Sequence, residues 1–429
     1  MNICMFTNTY LPHTGGVAKS VSSFAQDLRL RGHQVLIVSP TFPHEDEVSD
    51  EDNVLRIPAI QNFNGSDFSL SIPVPFYIRN KINKFQPDII HSHHPYLLGD
   101  VALRTAYRKN LPLVFTHHTL YEQYTHYVPL DSKVMKRLAI LMAISYANHC
   151  TRVVAPSQSI ARLIANRGVK TPVGVIPTGV DVDYFRSGNG ADFRQSHNIP
   201  EHIPVIGHLG RLAPEKNLEY LTRAVVQALK MIEHEACFLV VGSGPSQKRI
   251  QQIFQEKGMQ DRLIMAGKQT GRKLADAYRA MNVFAFASKS ETQGMVLTES
   301  MAAGVPVIAL DAPGVREVVK DHYNGRLLNE DTATEDFAVA IAQFLDKEND
   351  KLPYEKGAQE TAMDFSRENS VQKLIDTYKF LLKEKDTHRI SEKNMSDARD
   401  NLLLSLKTEW SMLSEKANLL MHAVQDREK

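Results

Sequence analysis

The segment PVIGHLGRLAPEKN, Pro204 to Asn217, runs from a short apolar stretch into a turn containing Gly207 and Gly210, and a helical pattern from Leu218 to Met231 follows. A strand, a glycine turn and a helix in that order are the repeating unit of an open parallel sheet, whose ligands bind at the carboxyl ends of the strands. Arg211 and Lys216 fall in the turn. A planar guanidinium fork beside a mobile ammonium suits a diphosphate, although an exposed loop with two solvated cations reads the same way.

The same alternation extends in both directions. Apolar runs at Ile3–Phe6, Val35–Val38, Ile89–Ile90, Leu113–Phe115 and Val153–Ala155 alternate with helical patterns in the first half, and those at Val205–Leu209, Phe238–Val241, Leu263–Met265, Val283–Phe286 and Val305–Ala309 in the second. Two parallel sheets, each covered on both faces, are therefore expected. The polar stretch from Tyr184 to Pro204, with Ser187-Gly188-Asn189-Gly190 inside it, is the expected linker.

Further along, SKSETQGMVLTESMAAGVP, Ser288 to Pro306, puts Glu291 in a loop and Glu299 in a helix expected to start near Met295. Both carboxylates can then face one ligand lying over the helix N-terminus, where the dipole attracts anions. Gly294 admits a close backbone approach, and Met295 follows with an outward N–H. Two ordinary glutamates on a solvated helix face have the same spacing.

Gly15 and Gly16 follow the first strand, where a loop without side chains can approach a sugar or diphosphate; a glycine pair is also a common tight turn. His117 and His118 close the Leu113–Thr116 strand, and Tyr121, Tyr124 and Tyr127 follow at steps of three. The run His91-Ser92-His93-His94 has no carboxylate or thiolate partner near it in sequence and reads as cleft lining, with no metal. VVGSGP, Val240 to Pro245, begins like a dinucleotide fingerprint, but position 247 is Gln where the third glycine belongs. A nicotinamide-dependent oxidoreductase is the alternative from a different class.

With 429 residues, 43% hydrophobic and 23% charged, the chain can build two cores and is neither disordered nor fibrous. A formal net charge of +1 gives no whole-molecule field for nucleic acid. Cys4, Cys150 and Cys237 are far apart in apolar patterns, which points to a reducing cytosol. The strongest apolar run, Leu138 to Ile144, is too short to span a bilayer, and Met1 to Thr7 reads as a first strand rather than a signal peptide. Past Lys383, an amphipathic pattern through Leu402, Leu406, Trp410, Leu413, Ala417, Leu420 and Val424 fits a helix packed on the body, a dimer seam or a membrane-surface helix.

Taken in order, FTNTYLPHTGGV, VFTHHTLYEQYTHYVP, VIPTGVDVDYF, GRLAPEKN, VVGSGP and the Glu291-to-Glu299 segment make the chain resemble the retaining glycosyltransferases of family 4 from Asn2 to about Leu382. THHTLYEQYTHY looks most like the bacterial branch that glycosylates diacylglycerol. The resemblance implies an α/β chain of GT-B fold, with two Rossmann-like, doubly wound parallel-sheet domains facing across a cleft and a C-terminal helix crossing back to the first. Residues 1–185 would be the acceptor-binding domain, 186–356 the nucleotide-sugar domain, 357–384 the returning helix, with Pro353 and Gly357 marking the crossing, and 385–429 the amphipathic tail.

It also implies transfer of a hexose, with retention, from a nucleotide sugar. UDP-glucose is the preferred donor, while galactose, glucuronate or GDP-mannose fit the same motifs. The acceptor would be a lipid such as diacylglycerol; a soluble or polysaccharide-linked acceptor is the alternative. On this reading Arg211 and Lys216 neutralise the diphosphate, and Glu299 accepts from the ribose hydroxyls. Glu291, Gly294 and Met295 hold the sugar hydroxyls, Gly15 and Gly16 lie under the sugar, and His118 donates to it. The cations and a helix terminus do the work of a metal, so no metal or cofactor is expected. Tyr121 and Tyr124 belong to the acceptor side. Lys133, Lys136 and Arg137 before Leu138–Ile144, with Arg79, Lys81 and Lys84 around Phe76, Tyr77, Ile78 and Ile82, suit an anionic membrane surface, making the enzyme cytoplasmic and peripheral.

Overall fold

A computed structural model describes residues 1–13, 15–42, 53–61, 69–72, 75–123, 133–346 and 351–391. They form two compact units, Met1–Pro177 with the chain from Ser370 onward, and Thr178–Asn369.

The first unit has strands β1 (Asn2–Phe6), β2 (Gln34–Pro40), β3 (Val54–Ile57), the short antiparallel pair β4 (Ala59–Ile60) and β5 (Leu70–Ser71), then β6 (Ile89–Ser92), β7 (Leu113–Thr116), β8 (Arg152–Ala155) and β9 (Val173–Val175). All but the antiparallel pair join one parallel sheet of order β3-β2-β1-β6-β7-β8-β9. Helices α1 (Gly16–Leu30), α2 (Pro75–Phe85), α3 (Leu98–Lys109), α4 (Lys133–Asn148) and α5 (Gln158–Asn166) are interleaved with these strands. Side chains alternate across the pleat, so β1 feeds two cores. Cys4 and Phe6 pack with Ile78, Leu103 and Tyr146, while Ile3 and Met5 pack with Val21, Phe24 and Leu28. The three cysteines are all buried and free.

The second unit opens with helices α6 (Val182–Arg186) and α7 (Gly190–Ser196) and carries strands β10 (Val205–Leu209), β11 (Cys237–Val241), β12 (Leu263–Gly267), β13 (Val283–Phe286), β14 (Val307–Leu310) and β15 (Gly325–Leu328). They form a parallel sheet of order β12-β11-β10-β13-β14-β15. Helices α8 (Leu218–Met231), α9 (Gln247–Glu256), α10 (Arg272–Arg279), α11 (Met295–Ala302), α12 (Thr334–Leu345) and α13 (Leu352–Asp364) complete it.

The stretch expected to be a linker belongs instead to the second unit. Phe185, Phe193 and Arg194 are buried there, and the division lies at Pro177/Thr178, ahead of the expected 185/186. A Cβ on Gly188 would strike the Ala275 carbonyl, and one on Gly190 the Arg279 carbonyl, so these glycines let α6 and α7 approach α10. They serve close packing, not flexibility. Pro353 and Gly357 likewise lie inside α13, with Gly357 against the Tyr323 backbone. The return to the first unit occurs at Ser370, within α14 (Arg367–Ser391), rather than at 357. Val371, Leu374, Ile375, Tyr378 and Leu381 of α14 complete the core that holds Ile3 and Met5. The amphipathic pattern from Leu402 to Val424 lies outside the described residues.

Candidate active site

In the second sheet the chain runs from β10 to β11 and β12 on one side, and from β13 to β14 and β15 on the other. Connections diverge between β10 and β13, and a sheet of this kind binds its ligand at that point. The two loops found there are the two that the sequence singled out, Gly210–Asn217 after β10 and Ala287–Gly294 after β13. Ser290 Oγ donates to the Glu215 carbonyl at 3.2 Å, and Asn217 Nδ2 to the Ala287 carbonyl at 3.2 Å. Lys216 Nζ donates directly to Glu291 Oε1, with side chains only 19% and 15% exposed. Arg211 pairs with Glu215 in a more open place. Each expected phosphate-binding cation thus already faces a carboxylate.

The Gly242–Pro245 loop does not act as a dinucleotide fingerprint. A Cβ on Gly242 would run into the Gly210 carbonyl oxygen and one on Gly244 into the Leu212 carbonyl oxygen, and both glycines have positive φ. Gly210 N–H donates to Val241 O at 3.0 Å, Leu212 N–H to Ser243 O at 2.9 Å and Ser246 N–H to Leu212 O at 2.9 Å. The glycines therefore brace the cation loop from beneath, backbone to backbone.

The carboxylate loop is held at its far end by Gln293, whose buried amide accepts from Thr178 N–H at 2.7 Å and donates to Thr178 O at 2.7 Å. Sequence reading gave no sign of this clamp, since an amide has no periodicity or motif to betray it. Gly294 follows in the left-handed region, φ 73°, and Met295 opens α11 as expected. Glu299 is buried, which excludes the alternative of a solvated helix face, and its Oε2 accepts from the hydroxyl of Tyr278 at 2.9 Å. His208, also unforeseen, is buried on β10. Its Nδ1 donates to the Ala285 carbonyl at 3.1 Å, and burial pushes its pKa down to about 4.

The first sheet has its own divergence between β1 and β6. Asn8 bridges the loops leaving them: its N–H donates to His94 Nδ1 at 3.1 Å, its Nδ2 to Tyr96 O at 3.0 Å, and its Oδ1 accepts from Leu98 N–H at 3.2 Å. Gly15 caps α1 and Gly16 begins it. A Cβ on Gly16 would meet no described atom within 4 Å, and one on Gly15 would meet only the His13 ring. Packing among the described residues does not demand Gly16, and a Cβ on Gly15 would need only the His13 ring to give way, in contrast to Gly242 and Gly244, which face backbone.

His91 is enclosed, with Nδ1 at 2.6 Å from the Tyr378 hydroxyl and Nε2 at 2.7 Å from Thr116 Oγ1. Both its nitrogens thus have protein partners. His118 sits partly buried, its Nε2 at 2.9 Å from His93 Nδ1. Burial pushes the pKa of His91 and His94 to about 3 and that of His117 to about 4. His93 and His118 lie well below the ordinary value, by burial and then by neighbouring imidazoles. These rings are neutral near pH 7.

On the expected acceptor side, Tyr121 stands in a short turn with its ring edge-on to Tyr96 at 5.2 Å and to His117 at 5.6 Å. Tyr124 and Tyr127 lie outside the described residues. Lys133, Lys136 and Arg137 are exposed on the first turns of α4. Of the apolar run after them only Leu138 and Ala143 are buried, and Ile140, Leu141 and Met142 are partly exposed. In α2, Ile78 and Ile82 are core, whereas Tyr77, Arg79, Lys81 and Lys84 are exposed. No described helix is long and apolar enough to cross a membrane.

Two parallel α/β units of this topology have the architecture of the GT-B fold. Sucrose-phosphate synthase from Thermosynechococcus elongatus shares this fold with a TM-score of 0.73 at 22% identity, covering 89% of this chain and 99% of that one. HepE from Anabaena, solved with UDP, gives 0.71 at 20% identity, covering 88% and 99%. The family description Glycosyltransferase Family 4 matches residues 14–184, and Glycosyl transferases group 1 matches residues 190–361. An alpha-monoglucosyldiacylglycerol synthase from Streptococcus pneumoniae is 29% identical over 357 residues, 80% of this chain and 78% of its own. A GDP-mannose-dependent alpha-mannosyltransferase from Mycolicibacterium smegmatis is 30% identical over 335 residues, 77% and 85%. The chain belongs to glycosyltransferase family 4.

Proposed function

We propose that this chain is a retaining hexosyltransferase that moves glucose from UDP-glucose to a membrane lipid such as diacylglycerol. The observation that carries this reading is the Lys216–Glu291 pair at the divergence of the second sheet. A diphosphate arriving there draws Lys216 toward itself and releases Glu291 to take sugar hydroxyls, so that phosphate and sugar are recognised by one exchange of partners. Arg211 supplies the second phosphate contact, Glu299 accepts from the ribose, and the Gly294–Met295 backbone approaches the sugar. In the first unit Gly15, Gly16 and His118 are assigned to the transferred sugar, with His118 as a hydrogen-bond donor.

The lipid acceptor is supported by the two relatives named as alpha-monoglucosyldiacylglycerol synthases, and by the exposed cations and partly exposed apolar side chains of α4. Such a helix lies in the headgroup region of an anionic membrane. The mannosyltransferase relatives favour GDP-mannose as the second donor to try. Radioactive UDP-glucose, UDP-galactose, UDP-glucuronate and GDP-mannose, each offered with diacylglycerol vesicles, test the assignment; the expected product is an α-glucosyl lipid from UDP-glucose. Replacing Lys133, Lys136 and Arg137 together by Ser should weaken binding to anionic vesicles by about 1 kcal/mol per cation while leaving UDP binding intact. Label appearing only in a water-soluble product, or equal binding to neutral and anionic vesicles, would remove the lipid from the reading.

A further inference from the structure

Three imidazoles form a column in the first unit. The rings of His91 and His93 lie 4.2 Å apart between centroids, and those of His93 and His118 lie 5.2 Å apart and nearly parallel, at 26°. Tyr378 of α14 and Thr116 of β7 hold His91 through its two nitrogens, which gives the column a fixed base. At its other end, His93 Nδ1 and His118 Nε2 are 2.9 Å apart.

Both atoms are ring nitrogens, so one must donate and the other accept. With both rings neutral, each has a single proton to place. The deciding atom is His93 Nε2, which is buried and has no hydrogen-bond partner among the described residues. If His118 donated, the proton of His93 would sit on that Nε2 as a buried N–H with nothing to receive it. If His93 donates, Nε2 is a bare lone pair. A buried N–H left without an acceptor is the rarer defect in folded proteins. His93 therefore donates, the lone pair of His118 Nε2 is consumed, and the single proton of His118 lies on Nδ1.

We propose that His93 is a positioning residue that locks His118 in the Nδ1-protonated tautomer, so that His118 meets its ligand as a hydrogen-bond donor and has no basic nitrogen left to act as a general base. The ligand group it takes is an oxygen with a lone pair, such as a sugar hydroxyl. The consequence for transfer rests on the reading of His118 as the residue of the first unit that acts on the sugar; the tautomer does not.

Long-range proton–nitrogen correlation spectra of the full-length protein with 15N-labelled histidine, in which the His118 signals are identified by their loss in His118→Gln, should show Nδ1 protonated and Nε2 bare. His93→Leu should shift His118 toward the Nε2-protonated form. His93→Asn, whose amide can donate from nearly the same place, should restore the original pattern. In sugar release from UDP-glucose and GDP-mannose, His93→Leu should lower kcat about 10–100-fold with KM little changed, the scale of loss known when the partner that orients a metal-ligating histidine is removed, and His93→Asn should recover most of it. A protonated Nε2 on His118 in the unaltered protein overturns the proposal, whatever the variants do. Full turnover in His93→Leu beside a dead His118→Ala overturns the positioning role. Full turnover in His118→Ala instead removes His118 from transfer while the spectra still decide what His93 does to it.

Discussion

Beside the divergence of the first sheet stand five imidazoles, His91, His93, His94, His117 and His118, each with its pKa pushed down by burial. At the divergence of the second stand two ion pairs, Arg211–Glu215 and Lys216–Glu291. The topology is nearly the same, yet the first place is lined by neutral rings, whereas the second sets paired charges beside its one buried ring, His208. Neutral rings can be sunk in a low-dielectric wall at modest cost, and on the proposed reading those of the first unit meet uncharged oxygens. Charges survive partial burial only when paired, and a diphosphate can replace a carboxylate as the partner. The glycines divide the same way. Gly16 is bare where the described residues leave room and Gly15 where only the His13 side chain is near, whereas Gly242 and Gly244 are bare because another backbone fills the space.

This contrast can be broken hardest with acid. For the buried histidines the folded pKa is depressed, so the unfolded chain binds more protons between its own value near 6.5 and the folded values of about 3 to 4. Their stabilising contribution is complete above the unfolded value and is lost as pH falls through this window. Each costs about 1.4 kcal/mol per pH unit there. Because the first unit carries several such rings, it should open first as pH drops from 7 to 5, with hydrogen exchange rising in β1, β6 and β7 before β10 and β13. Simultaneous opening of both units would deny that the two are electrostatically different.

Next in size is Lys216→Ala, which removes a charge-assisted contact worth about 1.5–3 kcal/mol and leaves Glu291 unpaired. UDP affinity and turnover should both fall, and Glu291→Ala on top of it should cost less than it does alone, because the two residues share one interaction. Calorimetry with UDP on the four proteins of the cycle gives the coupling; strict additivity would separate the pair. His118→Ala should do the opposite, slowing transfer with UDP affinity kept.

Glu299→Ala should weaken UDP binding and also lower stability by about 1–3 kcal/mol, because the buried Tyr278 hydroxyl loses its acceptor. A melting temperature unchanged from the parent would show that the hydroxyl finds another partner. The smallest effect is expected from EDTA. If the cations and the α11 terminus supply the charge that a metal would, activity persists under chelation; complete loss with rescue by magnesium or manganese would replace this account of the leaving group.

The central strands were legible because strands covered on both faces carry near-continuous apolar runs: β11 and β13 are apolar throughout, and β1, β2, β6, β7 and β10 hold such a run with their polar residues mostly at the ends. Besides the short β4–β5 pair, the unread strands β3, β9 and β15 are all edges of the two main sheets, and the fourth edge, β12, was read because its Leu263–Met265 run is unbroken. An edge strand has one pairing neighbour and tolerates Arg56, Gly174, or Gly325 with Arg326, so its run is broken. Glu291, Arg211, Lys216 and Gly294 could be marked because charge and glycine next to a strand end have a chemical meaning along the chain. Gln293, Tyr278 and His93 could not, because their meaning is a partner far away in sequence.

The amino-acid order by itself determined two parallel α/β units, the loops that matter in each, and membership of a glycosyltransferase family, since hydrophobic period and loop composition are local properties that survive without coordinates. Only the tertiary structure decided what those residues face. It paired Lys216 with Glu291, buried Glu299 against Tyr278, turned the suspected linker into packed helices, and set His118 on His93 above a base held by Tyr378. Charge state, tautomer and the need for a glycine depend on which atoms lie within a few ångströms, and that proximity is set by how the sheets order their strands.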